Sequence, residues 1–100
     1  MSEFCLTLLC PPAIEEKLLD LLLMQPDTTV FTSTPTAAHG LDHQHLGQME
    51  QVLGRAGATE VQVIINEAGK AALLETLRQQ FAGAGLRYWL TPVVEAGEIA

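Results

Sequence analysis

Three histidines and one aspartate fall within seven consecutive residues of this 100-residue chain. The stretch is His39-Gly40-Leu41-Asp42-His43-Gln44-His45. Neutral imidazole and carboxylate are ligands for divalent transition metals such as Zn, Cu, Ni and Co. His39 and His43 would share a face in a helix, whereas His43 and His45 would share one in an extended chain. We therefore predict a transition-metal site formed by His39, Asp42, His43 and His45, with a solvated polar loop as the alternative.

Two arginines are candidates for holding an anion. Arg55 closes the segment Glu50-Gln51-Val52-Leu53-Gly54-Arg55, and Arg87 lies near the start of the last apolar run. A guanidinium binds carboxylate or phosphate through a fork of N–H donors. Arg55 and Arg87 are therefore predicted to hold an anion between protomers. For Arg55, a salt bridge to one of the twelve acidic residues is the alternative.

The residue types give little support for nucleophilic catalysis. Cys5 and Cys10 lie in one apolar run, and burial among apolar residues raises the pKa of a thiol. Their odd spacing places them on opposite faces of a strand, which argues against a disulfide between them. A non-enzymatic protein is therefore predicted. The alternative is a small dimeric enzyme that encloses an apolar substrate, with Trp89 and one of the histidines in its cavity.

The charge balance argues against two large classes of partner. Five Lys and Arg face twelve Asp and Glu, which gives a formal net charge of −7. The five cations are scattered, so the sequence has no basic patch for nucleic acid or for an anionic membrane. No apolar run approaches the length of a membrane span, and the first residues lack the pattern of a signal peptide. We expect a cytoplasmic protein without direct membrane insertion.

Apolar periodicity predicts the elements that must position these side chains. Strands are predicted over 4–10, 28–34, 60–66 and 86–91, with helices from Pro12 to Gln25 and from an Asn66 cap to Phe81. The first and third strands are the most apolar, and the ferredoxin-like βαββαβ topology places those two at the centre of its sheet. The predicted fold class is α+β, a ferredoxin-like sandwich with a four-stranded antiparallel sheet, as a single domain over 1–100.

One predicted connection is too long for a minimal version of this fold. Residues 35–59 separate the second and third strands, whereas hairpin loops are usually about 2–5 residues long. Long loops of this kind generally carry function, and this one contains all three histidines and Arg55. The apolar spacing between Leu46 and Leu53 predicts a short helical turn in its second half.

Several segments together resemble a known family. They are Cys10-Pro11-Pro12-Ala13-Ile14-Glu15-Glu16, Phe31-Thr32-Ser33, His39-Gly40, Glu50-Gln51-Val52 followed by Gly54-Arg55, the run from Phe81 to Trp89, and Pro92-Val93. The pattern spans almost the whole chain and is similar to an uncharacterised family of small PII-like proteins. Members of that family resemble nitrogen regulatory P-II proteins in fold, and some are encoded beside heavy-metal efflux pumps.

The resemblance implies a homotrimer in which residues 35–59 correspond to the T-loop, the P-II element that contacts partner proteins and responds to ligands. Nitrogen-sensing P-II proteins bind ATP through a basic, glycine-rich loop before the last strand. Here that loop is Ala82-Gly83-Ala84-Gly85, without a lysine, which argues against ATP and 2-oxoglutarate. In a trimer, residues after Pro92 would pair with a neighbouring edge strand. Tyr88 and Trp89 lie on opposite strand faces, so one is expected in the core and the other against a partner.

Taken with the resemblance, these residues predict a PII-like regulatory protein. It would bind a divalent transition metal or another small ligand through residues 35–59 and change its contacts with a partner protein. The resemblance points to a metal-efflux component in the membrane as that partner. The alternatives are a sensor of a non-metal small molecule, with Arg55 and Arg87 as its anion site, and the dimeric enzyme.

Overall fold

The computed structural model of the protein describes residues 2–26, 30–40 and 55–100. The strands are β1 (Glu3–Cys10), β2 (Phe31–His39), β3 (Arg55–Asn66) and β4 (Arg87–Val93). The helices are α1 (Glu15–Met24), which follows a 3-10 turn at Pro12–Ile14, and α2 (Glu67–Phe81). This order of strands and helices is the predicted βαββαβ order.

The four strands form one antiparallel sheet in the spatial order β2-β3-β1-β4. The two most apolar strands, β1 and β3, lie at the centre, where each pairs with a neighbouring strand on both edges. The more polar β2 and β4 lie at the edges of the sheet. This arrangement confirms the predicted α+β, ferredoxin-like sandwich.

Both helices contribute to a core on one face of the sheet. Alternate side chains of the central strands reach this core, among them Leu6, Leu8, Val61 and Val63, each at most 1% exposed. The helices add Leu18, Leu22, Leu73, Leu74, Leu77 and Phe81. Burying a side chain of this size contributes roughly 1.5–3 kcal/mol. The shared core fixes how the ends of the strands are placed relative to one another.

The β2–β3 hairpin is longer than the sequence predicted. β2 continues through Pro35 to His39, and β3 begins at Arg55 instead of near residue 60, so the predicted connection over 35–59 is confined to 40–54. Pro35 pairs with Thr59 because a proline is tolerated in an edge strand, where one side of the backbone needs no ladder hydrogen bond. The predicted helical turn between Leu46 and Leu53 lies outside the described residues.

Strand β4 differs from its prediction in two ways. It runs through Pro92 to Val93, again because an edge strand accepts proline. Trp89 pairs with Thr7, and Tyr88 pairs with the core residue Leu8, so the two aromatic residues do lie on opposite faces. The expectation that one of them is in the core was wrong, since Tyr88 is 47% exposed and Trp89 is 46% exposed.

The start of α2 follows its prediction closely. The side chain of Asn66 is the cap, and its Oδ1 accepts a hydrogen bond of 2.7 Å from the backbone N–H of Gly69. Such a cap satisfies one of the amide groups that a helix leaves unpaired at its first turn. Within the described ranges, neither helix is long and apolar enough to cross a lipid bilayer.

Candidate functional site

Most residues of the candidate site lie at one end of the sheet. β1 and β2 finish at this end and β3 and β4 begin there, because neighbouring strands are antiparallel throughout. His39 faces Arg55 across the β2–β3 ladder, and Arg87 faces Leu9 across the β1–β4 ladder. The connection 40–54 leaves the sheet and returns to it at this same end.

A pocket of ≈ 270 Å³ lies beside the end of the β2–β3 hairpin where the connection 40–54 leaves the sheet, and it is termed the hairpin pocket. Its walls come from the end of β1, the paired ends of the hairpin, and the turn between α2 and β4. The lining residues are Leu9, Pro11, Pro12, Ala13, Ala38, Ala56, Gly57, Ala58, Ala84, Gly85 and Arg87. Most of these side chains are small, and the space that they leave is large enough for part of a small molecule.

Arg87 is the charged residue among those that line the hairpin pocket. Within the described part of the chain, its side chain makes no hydrogen bond or ion pair. An unpaired guanidinium beside an apolar wall offers parallel N–H donors to a carboxylate or a phosphate. The pocket therefore suits a ligand that has an apolar body and an anionic group.

The predicted metal ligands are only partly placed by the structure. His39 is the last residue of β2, and its side chain is exposed. Asp42, His43 and His45 lie outside the described residues. Among residues 2–26, 30–40 and 55–100, no group of three His, Cys, Asp or Glu side chains is arranged to hold a metal ion. The metal site thus stays a prediction about His39 and the segment that follows it.

The two predicted anion-binding arginines are far apart within one chain. The backbone of Arg55 begins β3, while its side chain lies outside the described part. Arg87 is level with Glu60, because both residues face Leu9. Arg55 therefore lies five residues further along the sheet and two strand spacings to the side, a separation on the order of 20 Å between backbones. An anion held by both arginines would need them to come from different protomers.

Cys10, at the end of β1, has a thiol that resists deprotonation. Burial, with a smaller contribution from the nearby carboxylate of Glu15, raises the pKa of its thiol to about 11. The thiol donates to the carbonyl oxygen of Pro11 at 3.4 Å, and the hydroxyl of Thr59 donates to Glu15 Oε1. A thiol that is protonated at neutral pH is a poor nucleophile and a poor metal ligand. Cys5 and Cys10 are both free, which confirms the prediction that they do not pair.

Arg87 is recognisable as a candidate in the sequence, but the pocket wall beside it is not. The sequence features that form this wall are two runs of small residues, Ala56-Gly57-Ala58 and Ala84-Gly85. Small residues near the ends of strands are equally typical of turns, so these runs indicate a pocket only after the strands have been placed side by side.

Comparison with solved structures identifies the fold. A putative PII-like signalling protein from Thermus thermophilus has a TM-score of 0.66 and 14% identity, over 93% of this chain and 88% of that chain. B. subtilis GlnK, solved as a complex with ATP, has a TM-score of 0.67 and 14% identity, over 92% of this chain and 82% of that chain. At such low identity the likeness establishes the fold, and that fold is PII-like.

The sequence also assigns the chain to a family. The model of a protein family of unknown function, DUF3240, matches residues 1–100, and the chain belongs to that family. A DUF3240 family protein from Shewanella baltica OS155 covers 100% of this chain with 99% of its own length, at 19% identity and a TM-score of 0.82. None of the curated proteins matches the sequence. These findings confirm the predicted resemblance to an uncharacterised PII-like family.

Proposed function

We propose that this protein is a PII-like regulator, not an enzyme, that binds a small anionic ligand in the hairpin pocket. Binding would change the contacts that residues 40–54 make with a partner protein. The observation that supports this most directly is that Arg87, which has no side-chain partner among the described residues, lines a pocket at the end of the hairpin from which that segment extends. A ligand in the pocket contacts Ala38 and Ala56, which are among the last residues before the segment and the first after it. If the ligand binds one arrangement of the hairpin more tightly than another, ligand binding changes the affinity of residues 40–54 for the partner protein.

The composition of the pocket narrows the class of ligand. GlnK of B. subtilis was solved with ATP, which makes a nucleotide the first class to consider. The turn before β4 is Ala82-Gly83-Ala84-Gly85 and contains no cation, so among the described residues of one chain that line the pocket only Arg87 would face the charge of a triphosphate. A ligand with one or two negative charges and an aromatic or apolar body fits better than ATP.

AMP is the probe that tests ligand binding in the hairpin pocket. We expect AMP to raise the melting temperature, because a ligand that binds only the folded state stabilises it. Replacing the guanidinium in Arg87→Gln should weaken AMP binding at least about tenfold, the usual effect of losing a charge-assisted hydrogen bond. Lys17→Gln removes an exposed cation of α1 and is the matched control that should bind normally. An AMP affinity that survives Arg87→Gln, or no AMP binding at all, would contradict the proposal.

A second class of ligand, a divalent transition metal, is favoured by the position of His39. Its exposed imidazole ends β2, and the two other histidines follow at the fourth and sixth positions after it. We propose that His39, Asp42, His43 and His45 bind Zn, Cu, Ni or Co, and that a metal-efflux component is then the regulated partner.

The metal proposal is tested by replacing His39, His43 and His45 together with alanine. We expect this variant to lose any rise in melting temperature that Zn, Cu, Ni or Co produces in the wild type. The metal-free variant should melt like the wild type, because the side chain of His39 is exposed. Arg87→Gln is the control that should still bind metal. Equal metal affinity in the wild type and the triple variant would rule out these ligands.

We further propose that the protein works as a homotrimer in the cytoplasm. The formal net charge of −7 and the absence of a basic cluster in the sequence disfavour nucleic acid as a partner. In a trimer, Arg55 of one protomer and Arg87 of another could meet at a shared anion site. The alternative of a dimeric enzyme with Trp89 in its cavity predicts a different mass in solution.

A further inference from the structure

A second pocket, of ≈ 190 Å³, lies on the helix side of the sheet between α2 and β4, and it is termed the α2 pocket. Its walls are core side chains, with Leu74 and Leu77 at most 9% exposed and Phe81 7% exposed. Arg78 and Tyr88 also line it. The candidate site described above uses neither of these two residues.

The turn after α2, which borders this pocket, carries almost no side chains. Gly83 and Gly85, with φ of 79° and 85°, border the α2 pocket together with Ala82. Water beside the apolar wall of Leu74, Leu77 and Phe81 finds no hydrogen-bonding partner on that side, whereas Arg78 and Tyr88 form the polar edge of the pocket. An engineered apolar cavity of about 150 Å³ takes up benzene, so this pocket has room for a single ring or a branched alkyl group.

The polar groups of the α2 pocket make only long contacts with each other and with Glu75. Arg78 Nη2 lies 3.5 Å from the Tyr88 hydroxyl, and Arg78 Nη1 lies 3.9 Å from Glu75 Oε2. The side chains of Arg78 and Glu75 are 60% and 63% exposed. An exposed ion pair of this length contributes little to stability, so another carboxylate can replace Glu75 as the partner of Arg78 at small cost.

We propose that the α2 pocket binds a small monocarboxylate with an aromatic or branched apolar body. The apolar body occupies the space among Leu74, Leu77 and Phe81. The carboxylate accepts hydrogen bonds from the guanidinium of Arg78 and the hydroxyl of Tyr88. The site lies on the helix side of the sheet and does not depend on the proposed function of the hairpin pocket.

Phenylacetate and its uncharged analogue 2-phenylethanol are the probes for a calorimetric titration of the full chain. We expect phenylacetate to bind saturably, once per chain, and more tightly than 2-phenylethanol. Arg78→Gln should weaken phenylacetate binding about fivefold, as expected for the loss of one partly exposed ionic contact. The same variant should leave the affinity for 2-phenylethanol unchanged.

Two controls locate the bound molecule. Leu86→Phe places a larger side chain at the α2 pocket and should block phenylacetate in a protein whose melting temperature shows that it is folded. Arg87→Gln should leave phenylacetate binding unchanged, because Arg87 lines the other pocket. Absence of saturable phenylacetate binding to the wild type overturns the proposal, as does binding that is insensitive to Arg78→Gln or that is lost in Arg87→Gln.

Discussion

At Cys10, the fold suppresses the chemistry of a thiol. The side chain is fully buried, and its pKa rises from 9.0 to about 11, mainly through desolvation and secondarily through the charge of Glu15. The unfolded chain therefore releases this proton at a lower pH than the folded chain does. The contribution of the neutral thiol to stability is complete below pH 9 and is lost as the pH rises from 9 to about 11.

This pKa difference gives a measurable pH dependence. We expect the free energy of unfolding to fall between pH 8 and pH 11 by about 2 to 3 kcal/mol more in the wild type than in Cys10→Ala. Urea denaturation of both proteins across this range measures the difference, and the variant cancels the titration of every group that the two proteins share. Parallel pH profiles would show that the thiol ionises equally in the folded and unfolded chains.

At the scale of the elements, the turn from Ala82 to Leu86 separates the two pockets and contains a backbone conformation that favours glycine. Gly85 lines both the hairpin pocket and the α2 pocket, so this turn forms the wall between them. The φ of Gly85, +85°, belongs to the left-handed region, and a Cβ built on Gly85 would lie 3.5 Å from Pro11 Cγ. Since that contact is an ordinary van der Waals distance, the backbone conformation is what requires glycine.

Gly85→Ala should therefore lower the free energy of unfolding by about 1–2 kcal/mol, the cost of a left-handed conformation for a residue with a Cβ. Gly97→Ala is the matched control. Gly97 has no heavy atom within 4 Å of its Cβ position and no positive φ, so its replacement should change stability by less than about 0.5 kcal/mol. Urea denaturation compares the two variants, and equal stabilities would show that the turn does not need glycine.

The same elements show what the sequence can and cannot predict. The central strands and α2 were predictable because the alternation of Val61, Val63 and Ile65 and the cap at Asn66 are local patterns. The length of the hairpin was not, because Pro35 and Ala56-Gly57-Ala58 look like a loop until they are paired. The candidate site divides in the same way: the charge of Arg87 is visible in the sequence, whereas the small residues around it become a pocket only through pairing between strands.

At the scale of the whole molecule, the two faces of the sheet differ. One face carries the core with both helices, while the other carries Trp89, 46% exposed, beside Thr7. The tail from Ala96 to Glu98 borders a groove of ≈ 810 Å³ on that second face, together with Cys5 and Ile64. Tryptophan is enriched in protein interfaces, where its large apolar ring is buried on association. This face is the surface through which we propose that three copies of the chain associate.

The oligomeric state distinguishes the regulator from the dimeric enzyme. We expect light scattering to give three times the chain mass of 10.8 kDa, and Trp89→Lys to dissociate the trimer because a lysine is costly to bury in an apolar contact. Tyr88→Lys is the matched control, since Tyr88 is as exposed as Trp89 but lies on the opposite face, and it should stay trimeric. A dimeric wild type would favour the enzyme that encloses an apolar substrate. A trimer that survives Trp89→Lys would mean that the protomers meet through a different surface, and the shared anion site of Arg55 and Arg87 would then have to be sought there.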